Sequence, residues 1–149
     1  MVDYLVREIN DLAMVFAIDD QDRVLLVRQY RHGIGDMSLE LPAGLLDAGE
    51  DALTAGAREL REETGAVATL TQIGELYANP AVQTNRVHVL LGRDARVVGD
   101  AHGDAEEDLD LQLVPRCEIE DRVWQGEIRS SVSVAAIFLG LRHLERERA

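Results

Sequence analysis

Cysteine is nearly absent from this sequence, and aromatic residues are sparse. The single thiol belongs to Cys117, so no disulfide can form within the chain and we do not expect a cysteine-based zinc site. Aromatic residues make up 4% of the chain, so aliphatic side chains must fill most of the hydrophobic core. With 149 residues and 46% hydrophobic content, the sequence predicts one globular domain over residues 1–149.

Basic residues are also scarce. Arginine and lysine together number 15 against 28 acidic residues, which gives a formal net charge of −13. A nucleic-acid backbone or an anionic membrane would be repelled by this charge, so we expect neither as a partner. A phosphorylated small molecule stays possible, provided that a divalent cation lies between it and the protein.

Long hydrophobic runs and a signal-peptide pattern are missing as well. No apolar run approaches the roughly 18 residues that a membrane span requires. The N-terminus lacks the charged and apolar regions of a secretion signal. These absences predict a cytoplasmic protein.

The hydrophobic pattern that is present predicts alternating strands and helices. Strands are expected over 12–19, 23–31, 39–44, 67–78, 85–97 and 109–115, the first two as a hairpin, with a loop over 32–38. Helices are expected over 50–64, 116–126 and 131–146. This order, with strands on both sides of one helix and two helices at the end, predicts an α/β or α+β sandwich around a mixed sheet.

The helix expected over 50–64 carries a cluster of acidic residues. At about 100° per residue, Glu59, Glu62 and Glu63 share one arc of roughly 100°. Like charges at this spacing destabilise a helix, and its C-terminal dipole adds to the penalty. A divalent cation would offset the repulsion, and an all-oxygen cluster suits Mg²⁺ or Mn²⁺. The alternative interpretation is an ordinary solvated face.

The same helix is expected to bury a stripe beside the carboxylates. Its predicted members follow helical spacing: Leu53, Ala57, Leu60 and Thr64. The small residues Ala52, Ala55 and Gly56 lie on the carboxylate side, so a phosphate or another strand could approach closely there.

The stretch GLLDAGEDALTAGARELREETGA, residues 44–66, resembles the Nudix box. Gly44, Glu50, Arg58 and Gly65 stand at the fixed positions around the three glutamates. Three features outside the box are similar to the ADP-ribose pyrophosphatase branch of that family: VRQYR at 27–31, ELPAG at 40–44, and Pro80 after the box.

The resemblance implies a fold and an activity. The expected fold is the Nudix α/β/α sandwich with a mixed β-sheet. The expected reaction is Mg²⁺-dependent hydrolysis of a nucleoside diphosphate linked to another group, with ADP-ribose giving AMP and ribose 5-phosphate. Carried over residue by residue, the metal ligands are Glu59, Glu62, Glu63 and the Ala43 carbonyl, with Glu50 and Arg58 orienting them and Gly44 and Gly65 as structural support.

The resemblance also implies contacts with substrate and with a second subunit. Arg31, Arg28, Glu40 and Pro80 fall where the family places substrate contacts. The acidic loop after residue 101 offers Glu106 or Glu107 as the catalytic base, although a run of acids is also typical of a solvated loop. Family members often form homodimers, and Trp124 is expected to pack in the core or against a second subunit.

Two departures from the branch leave the substrate open. Where the branch reads Ser-Pro-Gly followed by a glutamate, residues 79–85 read NPAVQTN, and the N-terminus is short. Other substrates, such as GDP-mannose or a dinucleoside polyphosphate, are therefore alternatives. A nucleotide-binding sensor without catalysis is a further alternative, although such domains typically lack some of the box glutamates.

Overall fold

The computed structural model describes residues 5–101 and 109–148. Its seven strands and three helices follow the chain in the order β1 to β4, α1, β5 to β7, α2, α3. The strands are β1 (Leu12–Asp19), β2 (Arg23–Arg31), β3 (Asp36–Glu40), β4 (Ala43–Leu45), β5 (Ala66–Tyr77), β6 (Arg86–Val97) and β7 (Asp110–Pro115). The helices are α1 (Ala52–Thr64), α2 (Ile119–Trp124) and α3 (Ser131–Arg148), with a 3-10 turn at Arg116–Glu118 before α2.

The strands form one mixed sheet. Its order is β3-β2-β1-β6-β5, with β4 also paired to β1 and β7 to β2. Strands β1 and β6 run parallel, with Leu12 opposite Val87, and the other pairs are antiparallel. The predicted hairpin of β1 and β2 is present, with Ile18 opposite Val24.

Helices cover both faces of the sheet. Because side chains alternate along a strand, Ala13 and Val15 of β1 face the cluster that contains Leu60 of α1. Met14 and Phe16 face the opposite cluster, which takes in the buried residues of α3. The predicted α/β/α sandwich with a mixed sheet is therefore confirmed.

Helix α1 is held at both ends by its own sequence. The carboxylate of Asp51 accepts hydrogen bonds from the N–H groups of Leu53 and Thr54, each at 3.0 Å. At the other end, Gly65 adopts a left-handed φ of 67° and donates its N–H to the Arg61 carbonyl at 2.9 Å. The helix thus begins at Ala52 and not at residue 50 as predicted, because Asp51 acts as the cap.

The predicted apolar stripe of α1 is partly wrong. Leu60 and Thr64 are buried, but Leu53 and Ala57 are exposed. The buried face contains Ala55, Gly56, Leu60, Glu63 and Thr64. This face is rotated toward the carboxylates because Gly56 packs against β6, where an added Cβ would overlap the Leu90 side chain. The glycine therefore leaves room for the strand and not for a phosphate.

The boundary between the predicted loop and β3 also differs from expectation. Strand β3 begins at Asp36, because β2 and β3 pair as far as Arg31 opposite Asp36, and the predicted loop shortens to 32–35.

Trp124 does not pack in the core, since 87% of its surface is exposed in this chain. In the described part of the chain, no helix has the length and apolar character needed to cross a membrane.

Candidate active site

A cleft of about 770 Å³ lies where α1 meets β4 and the ends of β2 and β3. It is strongly charged: five carboxylates and two guanidinium groups line it. The carboxylates belong to Glu40, Asp47, Glu59, Glu62 and Glu63, and the guanidinium groups to Arg31 and Arg58. All three glutamates of the predicted cluster therefore face one cavity.

Glu63 is fixed to the strand that opens the cleft. The side chain is buried, with 7% of the residue exposed, and its Oε2 accepts a hydrogen bond from the Ala43 N–H at 3.0 Å. Pro42 precedes this N–H, and its carbonyl accepts from Val15 of the central strand β1 at 2.9 Å. The carboxylate thus has a defined position relative to the sheet.

Glu59 lies directly against Gly44. A Cβ added at Gly44 would occupy the space of the Glu59 carboxylate. Burial raises the pKa of Glu59 above its ordinary value, and the neighbouring Arg58 guanidinium opposes this rise without cancelling it. The glycine of the box therefore makes room for a desolvated carboxylate.

Arg58 joins the loop before α1 to the helix. It contacts Glu50 through two hydrogen bonds, Nε to Oε1 at 3.1 Å and Nη2 to Oε2 at 2.9 Å. It also donates to the Leu45 carbonyl at 3.0 Å and to Glu59 at 2.5 Å, and it reaches Glu62 at 3.4 Å. The hydrogen bonds to Glu50 are the largest cause of the raised pKa of Arg58, so this group stays charged and holds the loop against the helix.

The donor set of the cleft suits a hard divalent cation. The carboxylates of Glu59, Glu62 and Glu63 line one cleft, and oxygen ligands of this kind are those that Mg²⁺ and Mn²⁺ prefer. Within residues 5–101 and 109–148, no three acidic, histidine or cysteine side chains already converge on one metal position. Arg58 lies between Glu59 and Glu62, so a shared ion requires their side chains to turn toward each other.

A second ion pair lies on the opposite wall of the cleft. Arg31 and Glu40 form two hydrogen bonds, Nε to Oε1 at 3.2 Å and Nη2 to Oε2 at 2.9 Å. Burial alone would raise the pKa of Glu40, but the hydrogen bonds from Arg31 and Ser38 outweigh it, and the pKa lies below its ordinary value. Glu40 therefore stays ionised, and the pair presents a fixed polar surface to the cavity.

The structure separates other predicted residues from this cleft. Arg28 lines a neighbouring pocket, and Pro80 lies in an exposed turn that begins at Asn79. Glu106 and Glu107 lie outside the described residues. The sequence prediction omitted Gln29 and Asp47, which also line the cleft. Gln29 was open to prediction, since it stands two positions from Arg31 on one strand and shares its face.

Comparison with known proteins identifies the family. The NUDIX domain family model matches residues 10–132. This chain belongs to the NUDIX domain family. Its Nudix box is the β4–α1 unit that contains Gly44, Glu59 and Glu63, as the resemblance implied.

Two bacterial relatives with similar sequences are both named ADP-ribose pyrophosphatase. The Nudix chain is 40% identical over 127 residues to the ADP-ribose pyrophosphatase of Mycobacterium tuberculosis, covering 83% of this chain and 61% of the relative. It is 36% identical over 85 residues to the ADP-ribose pyrophosphatase of Bacillus subtilis, covering 56% of this chain and 46% of the relative. The chain thus spans roughly half to three fifths of these relatives.

A solved structure shares the fold. The crystal structure of an ADP compounds hydrolase superposes with a TM-score of 0.83 at 28% identity, covering 92% of this chain and 74% of the other. Nudix hydrolases generally depend on a divalent metal, and the carboxylate cleft is where this Nudix chain concentrates suitable ligands.

Proposed function

We propose that this Nudix protein hydrolyses the pyrophosphate bond of ADP-ribose or a related nucleoside diphosphate sugar, giving AMP, or another nucleoside monophosphate, and a sugar phosphate. One observation carries the proposal: Glu59 lies against Gly44 while Glu63 is tied to the Ala43 N–H, in a cleft large enough for a nucleotide. The named activity of the two bacterial relatives supports the choice of substrate.

The proposed cofactor is Mg²⁺, with Mn²⁺ as a possible substitute. The residues that would hold it are Glu59, Glu62, Glu63 and the carbonyl of Ala43. When bound, the ion supplies positive charge to the diphosphate and acidifies a water molecule. Without it, the excess of carboxylates over guanidinium groups in the cleft would repel the substrate.

The chain's own residues would position the reacting groups. Arg58 fixes Glu59 and holds Glu50, and Gly65 ends the helix so that Glu62 and Glu63 stay within its last turns. Arg31 is proposed to donate to substrate oxygen atoms from the opposite wall, with Glu40 setting its direction.

Other predicted contacts stay proposals. Arg28 and Pro80 would meet parts of the substrate that extend beyond the cleft. Glu106 or Glu107 would accept the proton of the attacking water.

A substrate panel tests the function. The protein is incubated with Mg²⁺ or Mn²⁺ and ADP-ribose, ADP-glucose, GDP-mannose, UDP-glucose or diadenosine polyphosphates, and the products are identified. We expect AMP and ribose 5-phosphate from ADP-ribose. Faster turnover of GDP-mannose or a dinucleoside polyphosphate would reassign the substrate, and binding without turnover of any compound would indicate a sensor.

A matched pair of variants tests the site. Glu63→Gln should lower kcat by orders of magnitude, at least about 10²-fold, because the metal loses a charged ligand while the side chain keeps its shape. Glu75→Gln removes the same charge from an exposed ion pair with Arg86 and should leave kcat within about twofold. Near-normal turnover of Glu63→Gln at saturating Mg²⁺ would contradict the assignment.

We further propose that residues 1–149 act as one domain that forms a homodimer in the cytoplasm. Trp124 of α2 and Phe138 of α3 support an interface that involves these two helices, since 87% and 62% of their surfaces are exposed in the isolated chain. Light scattering coupled to gel filtration measures the mass of the assembly, and imaging of the tagged protein in cells reports the compartment.

A further inference from the structure

A pocket with positive charge lies beside the acidic cleft. It encloses about 420 Å³ between the end of the β3-β2-β7 sheet segment and the chain that follows α2. Three guanidinium groups and two carboxylates line it, from Arg28, Arg122, Arg129, Asp36 and Glu127. The charge is thus opposite in sign to that of the cleft, where carboxylates outnumber guanidinium groups by five to two.

Among the described residues, two of the three guanidinium groups have carboxylate partners and the third has none. Arg122 contacts Glu127 at 2.7 Å, and Arg129 contacts Asp36 at 3.3 Å. The guanidinium group of Arg28 makes no hydrogen bond or ion pair with any residue that the structure describes. Its charge nevertheless acts on the pocket: the pKa of Asp36 is lowered first by the Met37 N–H, then by Arg129 and, to a smaller degree, by Arg28.

The fold holds these arginines in place. Arg28 lies on β2 between two paired strands, opposite Leu39 of β3 and Asp110 of β7. On the other side, Ile128 is buried at 1% exposure, and its N–H and that of Glu127 both donate to the Arg122 carbonyl. Arg129 follows this anchored residue directly, so the arginines come from elements with fixed positions.

The pocket is connected to the acidic cleft. Asp36 and Arg129 also line a third pocket of about 360 Å³, whose remaining lining includes Arg31 and Glu40. Arg31 and Glu40 in turn line the cleft. A continuous surface therefore runs from the box glutamates, past the Arg31–Glu40 pair, to Arg28.

We propose that Arg28, Arg122 and Arg129 form a binding site for a phosphate monoester. A guanidinium group binds phosphate oxygens through two parallel N–H donors, and Arg28 can do so without breaking an ion pair to any residue in 5–101 or 109–148. A dianion would also offset the repulsion between the three guanidinium groups that line this pocket. The volume admits a sugar attached to the phosphate and not merely the ion.

This phosphate has two possible sources. It is either a free phosphate ester that binds independently, or an additional phosphate on a substrate that extends from the cleft. The second source rests on the proposed function, whereas the site itself does not.

Titration with inorganic phosphate tests the site. The full chain is titrated in metal-free buffer at constant ionic strength, and NMR follows the side-chain Nε–H signals of arginine. We expect saturable shifts for Arg28, Arg122 and Arg129, and a dissociation constant at least about tenfold higher in Arg28→Gln. Arg142→Gln, which removes an equal charge from an exposed ion pair with Glu145, should bind phosphate within about twofold of the parent.

A second measurement distinguishes the sources. The ratio of kcat/KM for ADP-ribose 2′-phosphate to that for ADP-ribose is compared between the parent and Arg28→Gln. A tenfold fall in the ratio identifies the phosphate as part of the substrate. An unchanged ratio with weakened phosphate binding identifies a free phosphate ester.

The outcomes separate this site from the proposed hydrolysis. Shifts that never saturate, or equal affinity in Arg28→Gln and the parent, would overturn the site. Lack of turnover of both ADP-ribose compounds would refute the hydrolysis, but the metal-free titration would still decide on the phosphate site.

Discussion

Gly44 is the residue on which the geometry of the carboxylate cleft most directly depends. Its missing Cβ leaves the space that the Glu59 carboxylate occupies, and its strand β4 pairs with β1 through Ala13. Any side chain here must displace either the carboxylate or the strand. Because the strand is paired, the carboxylate is the part that would move.

We predict that Gly44→Ala lowers the kcat of the protein without unfolding it. The methyl group would shift Glu59 by about 1 Å or more, and displacements of that size cost about 10²-fold in rate. The expected result is a kcat lowered by about that factor, weaker Mn²⁺ binding in a paramagnetic titration, and little change in thermal stability. Gly99→Ala, where an added Cβ has no neighbour within 4 Å, serves as the control.

The positions of the three box glutamates were predictable from the local sequence pattern. Glu59, Glu62 and Glu63 face one cleft because residues at positions i, i+3 and i+4 of a helix lie on the same side. Gln29 shares a strand face with Arg31 and could have been predicted, whereas the contribution of Asp47 depends on where the loop before α1 and β2 approach each other. That approach is set by strand pairing between residues distant in sequence.

At the scale of elements, α1 is seated on the sheet through its smallest residue. Gly56 lies against Leu90 of β6 and Val15 of β1, and Leu60 and Ala55 belong to the same buried face. A helix-interior glycine is intrinsically unfavourable by about 1 kcal/mol relative to alanine. Its presence here is explained by the close approach of helix and sheet.

Gly56→Ala should therefore destabilise the protein, contrary to the helix propensity. The added methyl overlaps the Leu90 side chain, and overpacking of this kind costs about 1–3 kcal/mol, more than the propensity gain. Urea unfolding followed by circular dichroism measures the effect. An increase in the free energy of unfolding would show that α1 has room to move away from the sheet.

The same glycine accounts for the error in the predicted apolar stripe. Leu53 and Ala57 fit a periodic pattern, and periodicity cannot show how far a helix is rotated about its axis. The rotation follows from which residues are small enough to face the strands. Element types and most bounds were predictable, since caps such as Asp51 and Gly65 act within a few residues.

At the scale of the whole molecule, the net charge of −13 is concentrated partly in one cleft. A ligand that binds the folded chain and not the unfolded one stabilises it in proportion to the logarithm of its concentration. The box carboxylates come together only on folding. Divalent cations should therefore act as stabilisers of the entire fold.

We predict that Mg²⁺ raises the melting temperature at constant ionic strength. At about 100 times its dissociation constant, the gain is roughly 2.7 kcal/mol, which corresponds to a shift of about 5–10 °C for a chain of this size. Glu63→Gln should lose most of the shift, whereas Glu75→Gln should keep it. An equal shift in both variants would assign the effect to charges outside the cleft.

The sandwich as a whole was predictable, but its strand order was not. Alternating apolar runs and a helix between them predict two helical layers around a mixed sheet. They do not show that β1 takes β6 as its parallel neighbour, with Leu12 opposite Val87. That choice arises from matching side chains on both faces, including Gly92 beside Ala17, and no local signal records it.

The parallel pairing of β1 with β6 has a kinetic consequence. These two strands are joined by a long stretch of chain that contains β2 to β5 and α1, so their alignment requires a large loop to close. Non-local pairings of this kind are typical of folding on a scale of milliseconds to seconds. During synthesis, β1 must wait with one edge unpaired until β6 has left the ribosome, and nascent chains that stall earlier would expose that edge to aggregation.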